Sequence, residues 1–137
     1  VLSPTNIDER IEVIKRRDAY ENDHEAFIAH WQSEDATLRA RIVAARAALA
    51  DLQTADSALR RVAELCIALG SDGLRGELTL LHAARAFAAF AGDEAVTDEH
   101  IRKTAVLALR HRLRRDPLDE SGSSSRVART VSEILGD

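Results

Sequence analysis

The chain has 137 residues, of which 31% are charged and 45% apolar, and a formal net charge of −4. That length supports a single core, and that balance excludes an intrinsically disordered chain. The acidic sum disfavours a general nucleic-acid or anionic-membrane binder, no run approaches the roughly 18 apolar residues of a membrane helix, and the single cysteine, Cys66, rules out an internal disulfide.

The opening "VLSP" lacks an initiator methionine, and no methionine occurs anywhere. The sequence therefore reads as a piece of a longer protein, starting where a hydrophobic strand gives way to helices. Thr5-Asn6-Ile7-Asp8 has the capping-box pattern, with Ile7, Ile11 and Ile14 following on one helical face and Glu12 paired at i,i+4 with Arg16. A short helix is expected after Asp23, with Phe27 and Trp31 one turn apart. Ser33 is expected to cap a longer segment, "EDATLRARIVAARAALADL". There Leu38, Ile42, Ala45, Leu49 and Leu52 form a narrow apolar seam, suited to a helix that leans on one neighbour and projects.

From about Asp56 the pattern broadens. "SALRRVAELCIAL" is apolar over a wide face, with Cys66 as a small core residue, and it ends at Gly70, a natural left-handed cap. The next helix starts after Asp72 and stops at Gly92. Its alanine-rich body predicts the central, most buried element. Thr97 caps "DEHIRKTAVLALRHRLRR", which Pro117 terminates. "ESGSSS" reads as a flexible joint before a short amphipathic helix, "RVARTVSEIL". The fold class is all-α: a helical bundle of one domain with a long helix ahead of it.

Two basic features carry chemistry. Arg75 falls in the first turn of its helix, where the macrodipole and unpaired N–H groups disfavour a cation by roughly 0.3–1 kcal/mol. Either it folds onto Asp72 or Glu77 as a surface ion pair, or an anion occupies the helix start and is met by the guanidinium and the backbone together. Gly73 and Gly76 flank it and keep bulk away. The second feature is "LRHRLRRDPLDE", which places Arg110, Arg112, Arg114 and Arg115 at a helix end followed by Asp116, Asp119 and Glu120. Local ion pairs, contact with an acidic subunit, or nucleic-acid binding would each use it, the last without interleaved aromatics. His24, His30, His82, His100 and His111 show no zinc spacing. No P-loop or nucleophile motif occurs, so the chain by itself is expected to catalyse nothing and to bind no metal.

"CIALGSDGLRGELTLLHAARAFAAFAGDEAVTDEHIRKTAVLALRHRLRRDPLDE" resembles the C-terminal helical region of the ATPase (I) subunits of magnesium chelatase, and "GLRGELTLL" with "ALRHRLRRDPLDE" carries the resemblance most specifically. "SSSRVARTVSEIL" resembles the bacteriochlorophyll branch. The resemblance implies an AAA+ lid whose parent is a cytoplasmic bacterial motor that hydrolyses Mg-ATP to drive Mg²⁺ insertion into protoporphyrin IX. It implies N-terminal helices and an inserted helix over 1–53, a lid bundle over 54–120, and a joint with a C-terminal helix over 121–137. Arg75 matches the sensor-2 arginine that reaches ATP phosphates, with Gly73 and Leu74 at the helix start beside them. His82 stands where an arginine is expected, so no role is carried onto it. The implied partners are the chain's own AAA+ core, neighbouring protomers in a ring, the partner AAA+ subunit and the porphyrin-binding subunit, with no nucleic acid and no membrane span. The alternative is a helical interaction module that docks through the Arg110–Arg115 run with no nucleotide role.

Overall fold

The structure, a computed structural model, describes residues 6–71, 73–113 and 122–136. Six helices run in the order α1 (Ile7–Asn22), α2 (His24–Ala48), α3 (Asp56–Ala68), α4 (Arg75–Ala91), α5 (Asp98–Leu109) and α6 (Ser123–Leu135). Extended pairing among the described residues is limited to two single bridges, Gln53 with Ala95 and Ser71 with Leu113. The chain divides into two compact units, Val1–Ala40 and Arg41–Asp137.

In the first unit, Asn6 of the expected capping pattern is the N-cap of α1: its Oδ1 accepts from Asp8 N at 2.8 Å. Glu12 accepts from Arg16 Nε at 2.8 Å, and that hydrogen bond, reinforced by the charge, holds the Glu12 carboxyl below its usual pKa. No residue of α1 is buried. Asp23 serves both neighbouring helices. Its N–H donates to Ala19 O at 3.1 Å, while its Oδ1 accepts from Ala26 N at 2.9 Å to open α2. Tyr20 meets His24 and Phe27 edge to face across this joint, and Arg16 lies 4.5 Å above the Trp31 ring. Ser33 does not cap a helix: α2 runs unbroken through it, and its carbonyl accepts from Thr37 Oγ1 at 2.9 Å. The segments expected on either side of Ser33 are therefore one helix. A serine whose backbone is already committed to a helical ladder costs little there.

The second unit holds the core. Leu65, Cys66, Leu69, Leu80, Ile101, Leu109 and Val127 are fully buried, joined by Leu52, Val62, Val96 and Val131. The expected apolar seam is covered only in part: Ala45 of α2 and Leu52, just beyond its end, are buried, whereas Leu38 and Ile42 remain 46% and 45% exposed. Burial also pushes the Cys66 thiol up to about 11, with the nearby Glu77 carboxylate adding to the shift.

The alanine-rich α4 is not the central element. It buries one face (Gly76, Leu80, Ala84, Ala88 and Ala89) and packs on α3 and, most extensively, on α5, while Leu78 is half exposed. Of α3, α4, α5 and α6, both α3 and α5 touch the other three, whereas among the described residues α4 touches only those two. Small side chains on α4 serve close approach to α5 on one face rather than burial all round. "ESGSSS" is likewise not a joint throughout: Gly122 is the N-cap and Ser123–Ser125 form the first turn of α6, with Glu120 and Ser121 outside the described residues.

Helix ends are tied by arginines reaching from other helices. Arg85 of α4 donates to Leu49 O, Arg126 of α6 to Leu69 O, and Arg102 of α5 to Leu135 O, at 2.9, 2.9 and 3.0 Å. Each cation thus meets the negative end of a helix and satisfies a carbonyl the helix leaves open. At the start of α5, Thr97 N donates to His100 Nδ1 at 3.0 Å. A backbone N–H can only donate, so Nδ1 is the unprotonated nitrogen, and Nε2–H donates to Asp93 Oδ2 at 2.9 Å. The expected Thr97 cap is present, and the buried His100 completes it.

Candidate functional site

The segment between α3 and α4 makes two sharp reversals, at Gly70 (φ +64°) and Gly73 (φ +61°), conformations that strain any residue carrying a Cβ. Between them Ser71 N donates to Cys66 O at 3.0 Å, and Ser71 bridges antiparallel to Leu113. Gly76 is buried against this segment: a Cβ there would stand 2.8 Å from Ser71 Oγ and 3.1 Å from Ser71 Cβ. Glycine is therefore required at 76 for packing, and at 73 for its backbone angle, where the space around it is open.

Arg75 is the first residue of α4, and its N-cap, Leu74, offers no side-chain acceptor. The first backbone bond of the helix is Leu78 N to Leu74 O at 3.1 Å, which leaves the N–H groups of Arg75, Gly76 and Glu77 without an acceptor inside the helix. The Arg75 side chain is exposed and has no hydrogen bond or ion pair among the described residues. Glu77, one of its two expected partners, does not take it; Glu77 Oε2 is buried and has no hydrogen-bond partner among the described residues. Asp72, the other, lies outside the described residues.

An open cavity of about 450 Å³ is lined by Ser71, Gly73, Leu74, Arg75 and Gly76 on one side and by His111 and Arg112 on the other. All three residues expected to stand near an anion, Gly73, Leu74 and Arg75, meet here. The arginine run expected to crowd the last turns of a helix is placed differently. α5 ends at Leu109 with Arg110 as its C-cap, and Arg112 N closes a turn on Leu109 O at 2.8 Å. The cause is non-local: Leu113 packs on the core and gives its backbone to Ser71, which a continuing helix would prevent. Arg110 is exposed and does not line the cavity, whereas Arg112 does; Arg114, Arg115 and Pro117 lie outside the described residues. His111 also lines the cavity, although no metal-ligand spacing marks it in the sequence. Its position inside "RHRLRR" was the available signal.

A second cavity, of about 440 Å³, lies between the end of α2 and the α4–α5 corner, lined by Asp51, Leu52, Gln53, Gly92, Asp93 and Glu94 among others. Among the described residues no group of three or more His, Cys, Asp and Glu side chains stands close enough to hold a metal ion, and no helix is long and apolar enough to cross a membrane.

The family model described as "AAA lid domain" matches residues 59–133, which contain α4, α5 and most of α3 and α6. The magnesium-chelatase 38 kDa subunit of Cereibacter sphaeroides is 62% identical over 98% of this chain and 40% of its own length. That of Rhodobacter capsulatus is 55% identical over 98% and 39%. A chain from a cryo-EM-based structure of the complex between subunits BchI and BchD of magnesium chelatase is 45% identical over 93% of this chain and 38% of that one, with a TM-score of 0.40. The chain thus spans about two fifths of these relatives, and the part it matches in the 38 kDa subunits is C-terminal. With the matching model covering more than half of its residues, this chain belongs to the AAA lid domain family.

Proposed function

We propose that this chain is the lid of a magnesium chelatase ATPase subunit, with Arg75 as the residue that reads ATP phosphates and passes hydrolysis on to Mg²⁺ insertion into protoporphyrin IX. The observation that carries this is an exposed guanidinium at the positive end of α4, without a partner among the described residues. Elsewhere in the unit Arg85, Arg102 and Arg126 occupy the opposite, negative ends of helices. A cation at the wrong end becomes favourable once an anion joins it.

The residues fit a phosphate group in three respects. Gly73 leaves open space beside the helix start, three N–H groups of the first turn are free of intrahelical acceptors, and Arg75 supplies a planar pair of donors. Bound Mg-ATP would supply the phosphoryl group whose loss does the work. The task of Arg75 is to donate to phosphate oxygens, and that of the rigid α4–α5 pair is to carry the resulting displacement across the unit. In this reading residues 1–53 form N-terminal helices and the inserted helix, 54–120 the lid bundle, and 121–137 a joint with the C-terminal helix. The partners, in the cytoplasm, are the chain's own AAA+ core, neighbouring protomers of a ring, the partner AAA+ subunit and the porphyrin-binding subunit. Mg²⁺ enters as cargo held elsewhere.

Arg75→Ala in the complete ATPase subunit is expected to lower ATP hydrolysis by at least about tenfold, the loss of one charge-assisted contact, while leaving the circular dichroism of the subunit unchanged. Turnover at the wild-type rate in that variant would refute the assignment.

A further inference from the structure

We infer that His111 and Arg112 are part of the same anion site as Arg75, so that the cavity grips two neighbouring phosphate groups rather than one. This rests on the phosphate reading of Arg75 above. The two walls come from separate parts of the chain: Arg75 from the start of α4, His111 and Arg112 from the turn that follows α5. The bridge between Ser71 and Leu113 fixes them on opposite walls of one cavity.

Their electrostatic state points to a ligand. Neither the His111 nor the Arg112 side chain has a hydrogen bond or ion pair among the described residues, and no described carboxylate lines the cavity. Arg39, Arg46, Arg60 and Arg129 are also unpaired among the described residues, but none of them lines this cavity. Bringing the two guanidiniums of Arg75 and Arg112 around one space is unfavourable unless negative charge fills it, and the His111 ring adds a hydrogen-bonding group on the same wall as Arg112. A single phosphate is satisfied by Arg75 and the first-turn N–H groups; donors on the facing wall suit a second phosphate joined to the first. The chemical class is therefore an oligophosphate, with the far wall setting the preference for a chain of phosphates over an isolated one.

The test titrates the chain, at low salt, with inorganic tripolyphosphate and separately with orthophosphate, following the backbone amides of Gly73–Gly76 and the His111 ring by NMR. Tripolyphosphate is expected to bind more tightly than orthophosphate and to perturb both walls. Arg112→Gln is expected to weaken tripolyphosphate by about five- to tenfold and His111→Gln by about threefold, with little change for orthophosphate. Arg129→Gln, an exposed arginine on α6, serves as the control and should change nothing. All of these side chains are exposed, so the variants should keep the wild-type melting temperature. If Arg75→Gln weakens tripolyphosphate while His111→Gln and Arg112→Gln bind like wild type, the two-walled site is overturned and the Arg75 reading stands. If the wild-type chain does not distinguish the two anions, or the Arg129→Gln control weakens binding as much as Arg112→Gln, the inference is likewise overturned, and the ATPase assay of Arg75→Ala still decides the other reading.

Discussion

In the Arg41–Asp137 unit Leu65, Leu80, Ile101 and Leu109 are wholly removed from water, whereas in Val1–Ala40 the three isoleucines that pattern α1, Ile7, Ile11 and Ile14, all remain exposed. The same helical periodicity thus has two outcomes. Where a second and third helix meet it, the apolar face becomes core. On α1 it stays in water, and the helix rests on its Asn6 cap, the Glu12–Arg16 and Arg17–Glu21 pairs and the aromatic contacts around Tyr20. A helix of 16 residues held by such local terms is marginal in isolation. Amphipathic spacing therefore reports that a face wants covering, not that it has been covered.

The contrast is open to attack by mutation. Leu80→Ala, in the buried centre of α4, is expected to cost about 2–5 kcal/mol in urea unfolding followed by circular dichroism; a loss below about 1 kcal/mol would mean the second unit is not held by its core. Gly76→Ala should cost about 1–3 kcal/mol, because the new methyl meets Ser71, whose backbone is fixed by Cys66 O and Leu113. A neutral result there would show that the α3–α4 segment yields easily, and would loosen the geometry claimed for the cavity. Smallest is Asn6→Ala, worth about 0.5–1 kcal/mol of local helix stability. Its mark should be faster amide hydrogen exchange confined to the first turns of α1. Equal acceleration throughout the core would erase the distinction between the units.

Much of the second unit was legible because its signals are local. Gly70 and Gly92 both adopt the left-handed conformation expected of caps, Thr97 starts α5, and Val127 and Val131 form the buried face of α6. What escaped is what depends on distant partners. The end of α5 is set by a bridge to Ser71, not by Pro117, and the modest burial of α4 follows from which helices reach it. The site shows the same division. Arg75 was conspicuous from its position relative to a helix start alone, while the convergence of Arg112 and His111 on it required the chain to turn back after Leu109.

The Ser71–Leu113 bridge ties the approach to α4 to the departure from α5. Whatever pulls on the polypeptide at Leu113 is thereby harnessed to Ser71, in the stretch that leads out of α3. A remote tug along the backbone would widen or narrow the mouth around Arg75 without any helix having to unwind.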